Sequence, residues 1–545
     1  MFFQDKIAFH GFYATKHKMA ALVFLCFMFQ GSIVKGNEKI TCHVSEAGSL
    51  TDILSPEQKK SVKELVVTGE LDARDFRCLR DVLPVIEHVD IEQVQIKSYQ
   101  GDGGTAQTKK SYFADEVPDY AFYQKSSLKS IILPSTANSI GTYALYGCKL
   151  LNTLYVHKGI NKIGDYALVL CENLINLNVD KENQYYSTEN GVLLNKNKTI
   201  LIQANYLDTG VYIVPATVLH ISKYAFYANK YIREILLPAN LQRIGYATFM
   251  YCNNLESINI PSSVNFIGDY AFAYCSNLKS DFSDYELTAQ LGAYSFYFCN
   301  NIRGVHRVIK QTKISPWSFY KCEKLEGIVF TDNQCAVIGE YAFSDNIRMQ
   351  GSVIIPVSVK LIDVGAFSGC KKISQLKFNS SDLVIEKGAF RNCEEITGTL
   401  DLPKGMKEIK SFCFSNCKNI TGVVFPDSLK KIEDFAFAGC TNLGDTLHLP
   451  QGLEFIGKST FQSCKSVYCV VIPGSVKMID HKAFAKCDKI TEIILLSDSL
   501  SGIKINIKKI FPERVISKCK LSIPFGSIDK FKNSVWKGFE NIVEY

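Results

Sequence analysis

Cysteine has the most regular spacing of any reactive residue type in this sequence, and thiols can form disulfides or bind metal ions. Twelve of the 19 cysteines recur at one position of a repeated pattern. They are Cys148, Cys171, Cys252, Cys275, Cys299, Cys322, Cys370, Cys393, Cys417, Cys440, Cys464 and Cys487. If the repeats stack, equivalent thiols lie about 4.8 Å apart with parallel side chains. A disulfide instead needs converging Cβ atoms about 3.8 Å apart, and zinc needs four ligands in a tetrahedron.

These constraints predict that the repeated cysteines form a file of buried free thiols, which act as small apolar side chains. The alternative is that the repeated cysteines bind a row of metal ions. Cys42 and Cys78 lie outside the repeats, towards the amino terminus, and could pair with each other in an exported protein. The sequence leaves that pairing open.

Other residue types that carry chemistry show no matching pattern. The nine histidines are scattered without a His-Glu-x-x-His motif, and the sequence has neither a Gly-x-Ser-x-Gly elbow nor a Walker loop. Gly101, Gly103 and Gly104 precede no strand-to-helix crossover, so they indicate a flexible loop. We therefore predict no catalytic residues, no cofactor, no metal site and no enzymatic activity. Catalysis by an unrecognised pair of carboxylates stays open as an alternative.

The composition is that of a folded chain. Hydrophobic residues make up 47% of the 545 residues, charged residues 21% and aromatic residues 12%. These values exclude a disordered tail, a collagen and a multi-span membrane protein. The net charge is +7, of which +3 lies in the first 36 residues. The remaining charge is small and dispersed, so we predict no nucleic-acid partner.

The amino terminus has the features of a secretory signal peptide. Lys16 and Lys18 precede the apolar run at 19–29, and small residues follow up to Gly36. This run is shorter than the roughly 20 residues that a membrane-spanning helix needs. We predict that residues 1–36 are a signal peptide. The mature protein is then exported, either secreted or held at the cell surface or outer envelope, with no integral membrane span.

A repeat of 23 or 24 residues covers most of the chain. Each unit has a marker residue, phenylalanine or leucine, at the same position. The markers are Phe122, Leu145, Leu168, Phe226, Phe249, Phe272, Phe296, Phe319, Phe343, Phe367, Phe390, Phe414, Phe437, Phe461 and Phe484. Only the step from Leu168 to Phe226 differs, at 58 residues. Fifteen units in phase predict a stacked solenoid on the order of 70 Å long.

The unit at 252–272 shows how one coil is built. Ile258 and Ile260 alternate as a short strand with its apolar face inward, and Pro261 ends the strand because proline cannot donate to a ladder. Two more apolar residues form a second edge, and Phe272 fills the third side. One coil cannot close its own core, so neighbouring coils must stack.

The pattern C-x-x-L-x-x-I-x-I-P-x-x-V-x-x-I-G-x-x-A-F resembles the BspA-like leucine-rich repeat (LRR_5) family of exported bacterial surface proteins. The resemblance covers residues 118–496. It implies a repeat solenoid, mainly β, wound as a right-handed leucine-rich repeat coil of about fifteen units with N- and C-terminal caps. It also implies adhesion to surface proteins of the host or of neighbouring cells.

Segments outside the strict repeat are assigned by the same resemblance. Residues 185–202 resemble an insert of the family and predict a hairpin with strands at 192–194 and 199–202, which explains the long step. Residues 65–96 and 521–543 resemble its two caps. We predict a signal peptide at 1–36, an N-terminal cap region at 37–117, repeats at 118–496 with the insert at about 180–210, and a C-terminal cap at 497–545.

The outward side of the repeated strand is the first candidate binding surface. We call the residue between the two inward ones in each coil the strand face. Ten of its residues are predicted to contact a partner: Ile132, Tyr155, Leu236, Asn259, Val329, Ile354, Val424, His448, Val471 and Ile494. The other four are Asn178, Ile213, Lys377 and Asp401.

Eight of these fourteen strand-face residues are aliphatic, whereas alternation predicts polar residues on a face that meets only water. A stripe of exposed apolar side chains favours contact with a partner along one long surface. The alternative is that β-branched residues merely suit strands and shield one another across the ladder.

A second candidate surface lies where the strand motif decays. The segment 303–313 lacks the usual Ile-x-Ile-Pro and contains a basic cluster. Its members are Arg303, His306, Arg307, Lys310 and Lys313. A departure from a regular repeat can mark a functional site, so the cluster could bind an acidic glycan or protein. Repeat drift with a solvated charged edge is the alternative.

These features together predict an exported protein that works by binding proteins. Host extracellular-matrix or cell-surface proteins are the favoured partner class, and a glycan is the second. A structural or assembly role in the cell envelope is the alternative function. A glycan- or peptide-degrading enzyme is the third.

Overall fold

The computed structural model describes residues 39–109, 111–206, 210–281 and 287–545. The predicted signal peptide, residues 1–36, lies outside the described residues and stays a prediction. Within the described ranges the chain winds as a mainly β solenoid, in which short parallel strands stack coil upon coil. The predicted fold class is therefore confirmed.

One strand per coil builds what we call the first strand column. Leu154 and Val156 are buried and Tyr155 between them is half exposed, as strand alternation requires. Pairing is parallel and in register, so Leu154 lies opposite Leu177 of the next coil. The repeat strands of this column are Ser130–Ile132, Thr153–Val156, Asn176–Val179, Val211–Ile213, Glu234–Leu236, Ser257–Asn259, Val305–Val308, Gly327–Phe330, Gly351–Ile355, Ile373–Phe378, Gly398–Asp401, Ile420–Val424, Gly444–His448, Ser466–Ile472 and Glu492–Leu495.

Two-residue strands build a second strand column. Where Gly268 follows one of them, an added Cβ would lie 2.6 Å from the backbone of Gly245 in the preceding coil, so the close approach of the coils requires glycine. The strands are Glu116–Val117, Ser139–Ile140, Lys162–Ile163, His220–Ile221, Arg243–Ile244, Phe266–Ile267, Gln290–Leu291, Lys313–Ile314, Val337–Ile338, Leu361–Ile362, Val384–Ile385, Glu408–Ile409, Lys431–Ile432, Phe455–Ile456 and Met478–Ile479.

The third side of each coil is a turn around the marker residue. Tyr270 and Tyr274, two residues before and after Phe272, have φ values of +57° and +63°, a costly conformation for bulky residues. The N–H groups of all three donate to carbonyl oxygens of the following coil at 2.7–2.9 Å. These inter-coil hydrogen bonds offset the backbone strain of the turn.

The marker phenylalanines form a continuous stack through the core. From Phe226 through Phe484 to Phe511, neighbouring ring centroids lie 4.9–5.7 Å apart. Each such pair contributes about 0.5–1.5 kcal/mol beyond the burial of its area. All fifteen marker residues are buried, which confirms the predicted inward placement.

The twelve repeated cysteines are buried free thiols, as predicted. The structure adds a directional contact that the sequence did not suggest. Each thiol lies 3.0–3.4 Å from the carbonyl oxygen of the marker residue one coil earlier, so the S–H group donates across the coil boundary. Cys42 and Cys78, whose pairing was left open, are also free.

Three coils carry a different polar residue at the cysteine position. These residues are Lys125, Asn229 and Asn346, all of them buried. The Lys125 ammonium donates to the backbone carbonyls of Arg80, at 2.7 Å, and Leu83, which ties the first coil to the amino-terminal region. Burial lowers the pKa of Lys125 to about 8.

The 58-residue step contains an antiparallel insert. Val192–Asn195 pairs with Ile200–Gln203, which confirms the predicted hairpin. A third strand that was not predicted, Tyr186–Glu189, pairs with the other edge of Val192–Asn195. Ile200–Gln203 then pairs in parallel with His220–Ile221, so the insert rejoins the second strand column. The hydrophobic core divides here, because Leu193 packs with the preceding coils and the flanking Val192 and Leu194 with the following ones.

The amino-terminal region continues the first strand column. Lys39–Val44, Glu64–Leu71 and His88–Asp90 pair in parallel ahead of Ser130–Ile132. The region also contains strands Val94–Ile96, Tyr99–Gln100 and Ser111–Tyr112, helices Leu50–Ile53, Pro56–Ser61 and Ala73–Arg77, and a π-helical turn Cys78–Val82. This region covers the first coil, where Phe76 packs edge-on against Phe122 at 6.0 Å between centroids.

The carboxyl-terminal region covers the last coil. Phe511 stacks on Phe484 at 5.2 Å, and the indole N–H of buried Trp536 donates to the Leu500 carbonyl at 2.9 Å. Its elements are helices Ile507–Ile510, Glu513–Lys518 and Ile528–Lys532, 3-10 turns Asp498–Gly502 and Val535–Gly538, and strands Lys520–Ile523 and Asn541–Glu544. Among the helices that the structure describes, none is long and apolar enough to cross a membrane.

Replacing Phe272 by alanine should remove one ring from the stack and leave a cavity that costs about 3–5 kcal/mol. The measurement is the urea midpoint of the purified protein. Phe525→Ala is the control, because Phe525 is 87% exposed, and it should unfold with the wild type. Coincident curves for Phe272→Ala and wild type would contradict the stack.

The buried thiols should make stability fall at alkaline pH. Burial raises the pKa of Cys252 and Cys440 to about 12, whereas unfolded thiols ionise near 9. The free energy of unfolding should therefore decline from about pH 9 upwards, as the unfolded state loses protons that the folded state keeps. Thiol titration of the denatured, unreduced protein is the companion measurement. A titre near zero would show that the cysteines are disulfide-bonded.

Candidate functional site

The strand face presents aliphatic side chains to solvent along much of the solenoid. Six of the ten nominated residues are between 37% and 54% exposed: Ile132, Tyr155, Leu236, Val329, Ile354 and Val424. Ile213, in the same column, is 71% exposed. These side chains are placed outward by strand alternation, since their neighbours before and after fill the core.

Interruptions in the strand pairing between coils divide the strand face into short ladders. Ile213, Leu236 and Asn259 lie directly opposite one another in one ladder. The strands Gly327–Phe330 and Gly351–Ile355, by contrast, belong to different sheets. Where these two strands meet, a hollow of about 360 Å³ opens on the strand face, lined by Val329 and Ile354 together with polar residues such as Ser352 and Asn379.

Val471 does not belong to the exposed surface. It was predicted to contact a partner but is only 7% exposed. In the ladder it lies between His448 and Ile494, whose longer side chains flank its short β-branched one. Ile494 is half-buried and lies next to Ser522 of the carboxyl-terminal region. The exposed part of the strand face therefore ends at His448.

Two polar members of the strand face are held by their own chain. The Tyr155 hydroxyl donates to the Asp180 carboxylate at 2.8 Å, which raises the pKa of Tyr155. The Asn259 side chain accepts a hydrogen bond from the Leu237 N–H at 2.6 Å and donates to the Leu237 carbonyl at 3.1 Å. Asn259 thus secures the edge of the neighbouring strand.

The predicted basic cluster is not one surface, and His306 is the clearest correction. His306 is fully buried and takes the inward position that isoleucine has in other coils. Its ring packs against Phe319 with 4.7 Å between centroids, and Nε2 lies 3.4 Å from Gln311 Oε1. Burial lowers the pKa of His306 to about 4, so the imidazole is neutral at physiological pH.

The four other basic residues are exposed but separated. Arg307 lies on the strand face opposite Val329, and Lys313 starts a strand of the second column. The backbone of Arg303 forms a single β-bridge with that of Asp281. Lys310 lies after the strand that contains Arg307. The Ile-x-Ile-Pro motif is lost because His306, Val308 and Ile309 replace its two isoleucines and its proline, yet the strand Val305–Val308 still forms.

An aromatic edge was missed by the sequence analysis. Rings two or three residues before successive markers stack along one side of the solenoid, with 3.7–5.8 Å between neighbouring centroids. The stack comprises Tyr120, Tyr143, Tyr166, Tyr224, Tyr246, Tyr270, Tyr294, Trp317 and Tyr341. The recurring Tyr-Ala before the marker was the available signal. Most neighbouring rings face one another, whereas Tyr224 and Tyr246 meet edge to face, and these contacts stabilise the turns.

The part of the chain that the structure describes holds no group of three or more His, Cys, Asp or Glu residues that could bind a metal ion. Each repeated thiol instead donates to a backbone carbonyl, as Cys299 does to Phe272. The strand face accordingly offers apolar contact and dispersed charge.

Comparison with known families gives a match over most of the chain. A model described as the BspA type leucine rich repeat region matches in six copies, within residues 114–206, 209–326, 285–397 and 384–507. No curated protein matches the sequence.

Several solved structures resemble the solenoid. A leucine rich cell surface protein from Faecalibacterium prausnitzii A2-165 is 21% identical, with a TM-score of 0.43, over 66% of this chain and 94% of that one. A leucine-rich repeat protein from Bacteroides ovatus ATCC 8483 is 20% identical, with a TM-score of 0.40, over 77% and 89% of the two chains. The pneumococcal vaccine antigen PcpA is 15% identical, with a TM-score of 0.30, over 80% and 74%.

The buried histidine should weaken the protein in mild acid. An unfolded histidine takes up a proton near pH 6.5, whereas His306 does so only near pH 4. Between these values the unfolded state binds more protons, so stability falls as pH is lowered, by about 2 kcal/mol at pH 5. His306→Leu should remove that part of the loss between pH 7 and pH 5, measured by urea unfolding. His448→Gln, at an exposed position, should keep the wild-type loss, and an equal loss in His306→Leu would refute the assignment.

Proposed function

We propose that this chain, which belongs to the BspA type leucine-rich repeat family, works by binding other proteins on its strand face. We further propose that it is exported and promotes adhesion to surface proteins of the host or of neighbouring cells. The basis for export is the sequence of residues 1–36. The observation that supports binding is the row of exposed aliphatic side chains on a stacked and regular scaffold.

Rigidity supports this function physically. Association costs free energy when side chains and loops must be ordered at the interface. The strand-face side chains project from strands whose backbone groups are hydrogen-bonded to neighbouring coils. A partner that meets Leu236 or Val329 therefore meets a surface that is already ordered.

The central part of the face is the favoured contact region. Val329 and Ile354 line the hollow on the strand face, and Val424 is 54% exposed two ladders further along. Exposed charges interrupt the apolar residues, with Arg307 before them and Lys377 between them. Apolar contacts flanked by charge are the usual anatomy of an interface, in which the charges select the partner.

The test is a binding screen of residues 37–545 and of a Val329→Lys/Ile354→Lys/Val424→Lys variant. Immobilised extracellular-matrix and mucosal surface proteins form one arm, and solubilised envelope of the producing cell forms the other. We expect saturable binding in the first arm and a Kd at least tenfold higher for the variant, because three ammonium groups would have to be desolvated in the interface.

The matched control places the same three charges elsewhere. Leu150→Lys/Val384→Lys/Met478→Lys changes residues that are 45–46% exposed and lie off the strand face, so it should bind like the wild type. Equal weakening by both variants would contradict the strand-face site. Binding in the envelope arm alone would replace adhesion by an assembly role, and no protein binding in either arm would refute the proposed function.

A further inference from the structure

A large cavity lies between the last coil and the carboxyl-terminal region. Its volume is about 1410 Å³, which exceeds the 300–1,000 Å³ typical of small-molecule sites. Residues of the last coil from Ile479 to Lys486, the segment 501–512 and the segment 533–537 contribute to its lining. None of the strand-face residues lines it. We call it the basic cavity.

Six lysines and a single carboxylate line the basic cavity. The lysines are Lys482, Lys486, Lys504, Lys508, Lys509 and Lys537. All six are exposed, and within the described chain none of them forms an ion pair with a carboxylate, whereas nearby Lys477 and Lys530 do. The carboxylate, Asp480, accepts a hydrogen bond from His481 at 2.6 Å. The cavity thus concentrates positive charge that the protein does not neutralise.

The backbone does not explain why lysine occupies two of these positions. Lys482 and Lys486 have φ values of +60° and +63°, in the left-handed region that lysine has no special tendency to adopt. Other coils place several residue types at the equivalent turn positions, among them Tyr270, Gly439 and Lys321, so the turn itself does not require lysine. The Lys482 N–H donates to the Lys509 carbonyl at 2.6 Å, which brings the last coil and the carboxyl-terminal segment together at the cavity.

The rest of the lining selects among anionic ligands. Ile505 and Val535 are partly exposed beside buried Ile503, so the wall has apolar areas as well as charge. A glycan is mainly polar and would leave the apolar areas of Ile505 and Val535 without an apolar partner. A single-stranded nucleic acid needs aromatic faces for stacking, and Phe511, the lining's one Phe, Tyr or Trp residue, is buried in the core stack. Polypeptide carboxylates with apolar neighbours satisfy both features.

We propose that the basic cavity binds an acidic polypeptide segment that also carries apolar side chains. Its carboxylates pair with the lysine ammonium groups, and its apolar side chains lie on Ile505 and Val535. Lysine suits this ligand, because its flexible side chain can bring the ammonium group to carboxylates in varied positions. The site is separate from the strand face, so this chain has two binding surfaces of different chemistry.

The test uses residues 37–545 and a fluorescein-labelled peptide of sequence (Glu-Leu-Glu-Gly)3, followed by fluorescence anisotropy in 50 mM salt. We expect saturable binding, a Kd at least tenfold higher in 500 mM salt because the charges are screened, and binding at least tenfold weaker to (Gln-Leu-Gln-Gly)3. Lys482→Gln/Lys486→Gln/Lys509→Gln should raise the Kd for the acidic peptide at least tenfold.

Control proteins separate this site from general charge and from the strand face. Lys360→Gln/Lys404→Gln/Lys407→Gln removes three exposed lysines from the middle of the solenoid and should change the Kd less than twofold. The Val329→Lys/Ile354→Lys/Val424→Lys variant should also bind the peptide normally, whether or not it binds surface proteins. Equal loss in both lysine variants would overturn the site, and so would a lack of peptide binding. Tighter binding of a heparin octasaccharide or of dT12 would overturn the ligand class.

Discussion

The structure depends on one constraint, which is that no coil can close its own core. From Phe226 onwards each marker ring is covered by the ring of the next coil at 4.9–5.7 Å, and each repeated thiol donates to a carbonyl one coil away. The strands, the turn N–H groups and the core are all completed by a neighbour. Every coil must therefore stay stacked on its neighbours, even where the strand register shifts, as after Gly351 and Gly398, and both ends need a covering segment.

This constraint explains where irregular chain is accepted. The 58-residue step adds antiparallel strands and then rejoins the second column through Ile200–Gln203. The core divides there but stays filled, because successive residues of the insert face opposite sections. At the amino-terminal end, Lys125 occupies the position of a repeated cysteine, and its ammonium group donates to the backbone carbonyls of Arg80 and Leu83. A polar residue at a core position thus finds partners in a neighbouring segment.

Because stacking determines the inward positions, the outward positions are available for binding. The strand face carries exposed aliphatic residues between scattered charges, whereas the basic cavity at the carboxyl-terminal end collects lysines around an apolar wall. The two surfaces differ in chemistry, so they suit different parts of a partner or different partners. The rings of the aromatic edge contact one another along the solenoid, so they stabilise its turns.

The solenoid, the buried markers and the free thiols could be predicted from the sequence, because each depends on local spacing that repeats. The outward position of most strand-face residues could be predicted for the same reason. The two hairpin strands followed from the resemblance of residues 185–202 to an insert of the family. The folded structure was needed to see that Val471 is covered, that His306 lies in the core and that Tyr186–Glu189 joins the insert. It also brought together Lys482 and Lys509 at the basic cavity. These features depend on which neighbours meet across coil boundaries and chain ends, and spacing within one repeat does not contain that information.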